Sequence, residues 1–112
     1  MRGVPVTRKP LHFLGSSLED LRAFPDEARR DAGFNLDFVQ RGMDPVNWKP
    51  MQDVGRGVKE IRVRDAAGAF RVIYLAARSE GVYVLHCFHK KTRKTRKADI
   101  DLAASRLRLI GG

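Results

Sequence analysis

Lys59-Glu60-Ile61-Arg62-Val63-Arg64, Asp65-Ala66-Ala67-Gly68 and Phe70-Arg71-Val72-Ile73-Tyr74 follow closely on one another, and their reading decides the fold. Ile61 and Val63 alternate with Glu60, Arg62 and Arg64, which is the two-residue period of a half-buried strand. Asp65 to Gly68 carries turn residues. Phe70 to Ala77 is nearly continuously apolar, Ser79-Glu80-Gly81 turns again, and Val82 to Phe88 is a further apolar run. Three strands joined by such short links predict an antiparallel meander. The last two, apolar on both faces, are expected at its centre.

On the C-terminal side, Ile100, Ala103, Leu107 and Ile110 recur at helical spacing, which predicts a core-facing helix from about Ala98 to Leu109. On the N-terminal side, residues 42–57 read as a polar connection broken by Gly42, Pro45, Pro50, Gly55 and Gly57. Trp48 inside it is expected to pin this loop to the core, with base stacking as the alternative. Ala28, Ala32, Leu36 and Val39 mark a helix that Pro25 opens, that runs to about Arg41 and that Gly42 ends. A shorter helix begins at Ser17-Leu18-Glu19-Asp20, with acids in its first turn and Leu18, Leu21 and Phe24 as its apolar edge. Leu11 to Leu14 forms a first short strand, and residues 1–9 read as a loose arm. The expected architecture is therefore α+β, one domain over 1–112. Two N-terminal helices pack on a small, mainly antiparallel sheet, and a C-terminal helix completes it.

The 112 residues suffice for one core, and 43% apolar with 31% charged residues is ordinary for a globular domain. No apolar run is long enough to span a bilayer, and Met1 to Pro10 lacks the apolar stretch of a signal peptide, so a membrane partner is not expected. A lone cysteine, Cys87, between apolar neighbours reads as a core residue and agrees with a reducing cytoplasm.

The charge is unevenly spread. Residues 89–97 hold six Lys or Arg and no acid, supplying +6 of the formal net charge of +9. The remaining 16 basic residues face 13 acids, so the rest of the chain is only mildly basic. Such density directly after an apolar strand predicts a polyanionic or acidic partner. Arg71 opens an otherwise apolar strand, where an unpaired guanidinium is costly to bury. It either forms an ion pair with Glu60 or Asp65, or projects with Arg62 into a shared phosphate-binding concavity that the basic run closes. His86, Cys87 and His89 match no zinc spacing, so no metal or other cofactor is expected. His89, beside Lys90 and Lys91, is a candidate proton acceptor, with a solvated strand-end histidine as the alternative. The chain offers neither an acidic pair nor a nucleophile elbow. RNA cleavage by the 2′-hydroxyl needs only proton transfer and charge stabilisation at phosphorus, which Arg, Lys and His supply.

The element order, the segments Lys59 to Arg64 and Phe70 to Tyr74, and Leu85-His86-Cys87-Phe88-His89-Lys90-Lys91-Thr92-Arg93-Lys94-Thr95 together resemble the RelE/ParE superfamily of bacterial toxins. The resemblance covers about residues 10–110 and is greatest to the phage-derived, HigB-like branch, marked by a Phe-x-Lys-Lys-Thr-x-Lys-Thr run. It implies a toxin of a type II toxin–antitoxin pair, a metal-independent endoribonuclease that cuts mRNA in the ribosomal A site and is silenced by a cognate helix-turn-helix antitoxin. Arg62, Arg71, Lys90 and Lys91 match its catalytic cations, and His89 is the candidate base. Lys59, Arg64, Arg93, Lys94, Arg96 and Lys97 would be further RNA-binding cations. Three departures stand out. Glu60 replaces a strand lysine of RelE-type sites, no tyrosine follows Lys91, and Arg96 replaces a proline after the second threonine. A ParE-like gyrase inhibitor and a non-catalytic nucleic-acid-binding module are the competing readings. A structural adaptor would leave the charge without a role.

Overall fold

The computed structural model of the chain describes residues 8–111. Its elements in order are β1 (Leu11–Phe13), α1 (Ser17–Arg22), α2 (Asp26–Gln40), β2 (Trp48–Pro50), β3 (Val58–Asp65), β4 (Gly68–Leu75), β5 (Val82–Lys90) and α3 (Lys97–Ile110). They form an α+β domain built on one five-stranded sheet of order β1-β5-β4-β3-β2. The predicted meander β3-β4-β5 is its antiparallel centre, and β1 adds to β5 in parallel.

Alternation on the three central strands divides the core in two. Ile61, Val63, Phe70, Val72 and Cys87 point to one face, where α1 and α2 cover them with Leu21, Phe24, Ala28, Ala32, Leu36 and Val39. Val58, Ile73, Leu75 and Leu85 belong to the other face, under Ala103 and the flanking Ile100, Leu107 and Ile110 of α3. The helices therefore sandwich the sheet, but α3 covers only part of its face. In β5 the register steps from Ile73 opposite His86 to Tyr74 opposite Val84, leaving Leu85 as an extra residue. This bulge turns Leu85 to the α3 side next to His86.

Four local expectations change. The 42–57 connection contains β2, an edge strand paired to β3 through Trp48 and Ile61. Trp48 is half-buried at that edge, with Lys59 Nζ 4.3 Å from the centre of its ring, instead of lying in the core. Helix α1 is capped at Ser16, whose hydroxyl binds Asp20, while Ser17 is buried and donates to the Val84 carbonyl. Of the expected arm, residues 1–7 lie outside those described, but Arg8 and Lys9 are held. Arg8 pairs with Asp37 at 3.1 Å, and Lys9 Nζ donates to the carbonyls of Ala76 and Arg78.

Helix α2 tests the packing directly. Ala28 and Ala32 are completely buried, so small side chains set how closely the helix lies on the sheet. Gly33, one residue on, is exposed and has no atom within 4 Å of where a Cβ would stand. Ala32→Leu should overpack and cost about 1–3 kcal/mol. Gly33→Ala should stabilise by about 0.5–1 kcal/mol. Urea unfolding of the two variants checks the opposite signs.

Candidate nucleic-acid interface

The part of the sheet face that α3 leaves uncovered carries charge. Glu60, Arg62 and Arg64 share it by alternation along β3. Lys49 of β2 pairs with Glu60, Arg71 of β4 pairs with Arg62, and Phe88 of β5 pairs with Arg71. Arg62, Arg64, Arg71, Lys90, Lys91 and Arg93, with Gly68, Ala69, His89 and Thr92, line an open cavity of about 540 Å³. A smaller recess of about 140 Å³ adjoins it between Asn47, Arg62, Val63, Arg64 and Arg71.

Two cations directly opposite each other on one sheet face repel. A carboxylate underneath offsets this. Glu60 is completely buried and Arg71 is 4% exposed, with Glu60 Oε1 at 3.4 Å from Arg71 Nε. The expected pairing with Glu60, not Asp65, is the one formed. Asp65 instead caps its own turn by accepting from the Ala67 amide. Arg71 Nη1 donates to the Phe70 carbonyl at 3.1 Å. Neither Glu60 oxygen accepts a hydrogen bond of ordinary geometry, and Arg71 Nε donates none. Burial pushes the Glu60 carboxyl above its usual range, against the surrounding cations Arg71, Lys49, Arg62 and Lys90. Burial likewise lowers Arg71, and Glu60 opposes that shift.

Lys90 ends β5 half-buried and donates to the Arg93 carbonyl at 2.6 Å, while the Thr92 hydroxyl donates to the Lys94 carbonyl at 2.6 Å. The basic run is thus folded into a turn beside the cavity. Desolvation, followed by the nearby Arg71 charge, lowers the Lys90 ammonium from its usual value. Below this turn, His86 Nε2 and Asp99 Oδ1 share a 2.7 Å hydrogen bond that ties β5 to the first turn of α3. Arg106 ties the helix further along, donating to the Leu85 carbonyl at 2.9 Å and to the Ser16 hydroxyl at 3.1 Å.

The structure brings Arg62, Arg64, Arg71, Lys90, Lys91 and Arg93 together, and places the other sequence candidates differently. His89 lies on the opposite face from Arg71, stacked on Phe70 with centroids 4.5 Å apart, and also lines the cavity. Lys59 also faces the α2 side, where its ammonium binds Asp44 at 2.9 Å. Lys97 pairs with Asp101 at 2.8 Å and Arg96 lies 3.9 Å from Asp99, so these two serve the start of α3. Lys94 is exposed on the basic turn. Sequence reasoning missed Lys49, hidden in a strand of three residues, and the His86–Asp99 pair. Among the described residues no group of three or more His, Cys, Asp or Glu could hold a metal ion, and no helix is long and apolar enough to cross a membrane. Cys87 is buried, and burial pushes its thiol up to about 12.

A small domain with a five-stranded sheet, helices on both faces and a closing C-terminal helix is RelE-like. Residues 19–108 match the family described as phage-derived protein Gp49-like (DUF891), and the chain belongs to that family, which falls in the RelE-like group of type II toxins. The match runs from α1 nearly to the end of α3 and does not single out the HigB-like branch. No curated protein matches the chain.

The raised Glu60 carboxyl has a consequence for stability. Its folded pKa lies above its unfolded value, so its contribution is present below about pH 4.5 and is lost as pH rises through the folded pKa. Glu60→Gln should remove this fall. Urea unfolding at a series of pH values from 4 upward should show wild-type stability declining relative to the variant.

Proposed function

We propose that this protein is the toxin of a type II toxin–antitoxin pair and cleaves mRNA held on the ribosome, with a cognate helix-turn-helix antitoxin as its partner. One observation carries the reading. Arg62 and Arg71 stand in register on adjacent strands, facing a cavity that the turn at Lys90 to Arg93 borders. In the reaction, the RNA 2′-hydroxyl loses its proton to solvent, its oxygen attacks the adjacent phosphorus and the bond to the 5′-oxygen breaks. The products are a 2′,3′-cyclic phosphate and a 5′-hydroxyl. Negative charge grows on the non-bridging oxygens, and a planar guanidinium meets it in two places. Lys90, with its lowered pKa, suits protonation of the departing 5′-oxygen. Lys91, Arg64, Arg93 and Lys94 would hold neighbouring phosphates. His89 would act as base only on a substrate reaching over the end of β5.

Nothing in a cation-lined cavity aligns the 2′-oxygen with the scissile bond. A ribosome that stretches the message would supply that alignment, which is worth up to about 7–11 kcal/mol of barrier. This supports ribosome-bound mRNA over free RNA as the substrate.

Arg62 is the informative position, because it is exposed and an exposed substitution usually shifts stability by less than about 0.5 kcal/mol. Arg62→Ala should keep the melting temperature and lose about 10²–10³ in cleavage of ribosome-bound mRNA. Full activity in that variant, or inhibition of DNA supercoiling by gyrase in place of cleavage, would overturn the assignment.

Binding should also be strongly salt-dependent, each phosphate contact adding about 0.7 to the slope of log K against log salt for a single strand. Replacing Lys90, Lys91, Arg93 and Lys94 together by Ala should flatten that slope. An unchanged slope would make the basic turn a solvated surface only.

A further inference from the structure

Among the described residues, Glu60 is the one acid that the strands place on the face carrying Lys49, Arg62, Arg64, Arg71 and Lys90. It is completely buried, so it cannot touch a substrate. Its position is also expensive: both oxygens lack a hydrogen bond, and a buried carboxylate in that condition is retained at a cost to stability. An apolar side chain would fill the same space at lower cost. What Glu60 supplies that an apolar residue cannot is an oxygen, Oε1, set 3.4 Å from Nε of Arg71. With Nε facing Glu60 and Nη1 bonded to the Phe70 carbonyl, the guanidinium plane is fixed from two sides. Its remaining terminal nitrogen, Nη2, makes no hydrogen bond to a described residue, and Arg71 lines both the cavity and the adjoining recess.

We propose that Glu60 is a positioning residue: it acts through Arg71, holding the guanidinium fork with its free edge toward the bound phosphate. The proposal rests on the nuclease reading above for its effect on rate, and on geometry alone for its effect on Arg71. The charged groups facing Glu60 are Arg71, Lys49, Arg62 and Lys90, all of them cations. A side chain that merely neutralised this face would not need to be buried beneath it. A side chain that orients one guanidinium does.

The experiment uses the full chain and ribosome-bound mRNA, with an uncleavable 2′-deoxy message to read affinity. Glu60→Met keeps the volume and removes the acceptor, and Glu60→Gln keeps an acceptor for Nε–H without the charge. Glu60→Met should lose about 10²-fold in kcat with no rise in KM, because the face becomes one charge more positive. Glu60→Gln should recover to within about tenfold of wild type. In an Arg71→Ala background, Glu60→Met should cost nothing further. An equal loss in both backgrounds, or wild-type kcat in Glu60→Met, would overturn the proposal. A loss confined to KM would do the same.

Nitrogen-15 NMR of the Arg71 Nε–H group separates this claim from the nuclease reading and does not require the variants to fold. In the wild-type protein that proton should exchange with water much more slowly than the Nε–H of exposed Arg62. Equal exchange at the two arginines would overturn the positioning role whatever the catalytic result. Slow exchange at Arg71 in a protein that cleaves no message would sink the nuclease reading alone.

Discussion

A carboxylate with no exposed surface, set against a guanidinium that is itself nearly buried, is the constraint from which the charged half of this sheet follows. Arg71 occupies the middle of β4, the central strand, where an unpaired cation would cost far more than the few kcal/mol that separate folded from unfolded chains. Glu60 offsets that cost locally and softens the repulsion between Arg71 and Arg62 across the ladder. The pair is not an efficient stabiliser, because its hydrogen-bonding capacity is left unused. Its presence fits a face arranged to hold anions more than one arranged for stability.

Helix α3 decides how much of the face remains open. Ile100, Ala103, Leu107 and Ile110 cover Ile73, Leu75 and Leu85, and the helix begins where the basic turn ends. The placement of that turn therefore depends on how the first turn of α3 is anchored. The His86–Asp99 contact does this from the sheet side. His86 reaches Asp99 because the extra residue at Leu85 brings both side chains to the α3 face. An irregularity in β5 is thus transmitted through one hydrogen bond to the cations that border the cavity.

Much of this was legible in the chain. Alternation of Ile61 and Val63 with Arg62 and Arg64 gave the strand and its two faces, and Asp65 to Gly68 gave the turn that sets Arg62 opposite Arg71. The spacing of Ala28, Ala32, Leu36 and Val39 gave the buried stripe of α2. Strand β2 was not legible, since three residues ending in Pro50 show neither period nor length, and Lys49 was lost with it. Burial of Glu60 was hidden because an acid at an alternating position reads as solvent-facing. In the fold it lies against Arg71, with Lys49 of the edge strand beside it. His89 was readable by parity, since it pairs with Phe70 and so faces away from Arg71. Its neighbours in sequence, the lysines, drew attention from its neighbours in space. The His86–Asp99 pair joins residues on separate elements through a bulge, and no local pattern announces such a contact.

On the proposed reading, the division of labour on this face lets a cation-rich site act without an acidic catalyst. Arg62 is exposed and free to follow a phosphate, whereas Arg71 is held on two sides and cannot. A mobile cation also stabilises the developing charge, but ordering its side chain offsets part of the gain. A fixed one adds its full interaction only when charge develops at the place where it already points, so it lowers the barrier. Fixing a guanidinium in a sheet requires an acceptor below it, and that acceptor must be shielded so as not to repel the incoming phosphate. Glu60, buried and ringed by cations, satisfies both requirements. On the proposed reading, the replacement of a strand lysine by an acid at this position is compatible with an anion-binding face: the acid that opposes RNA in charge would be the one that aims the arginine.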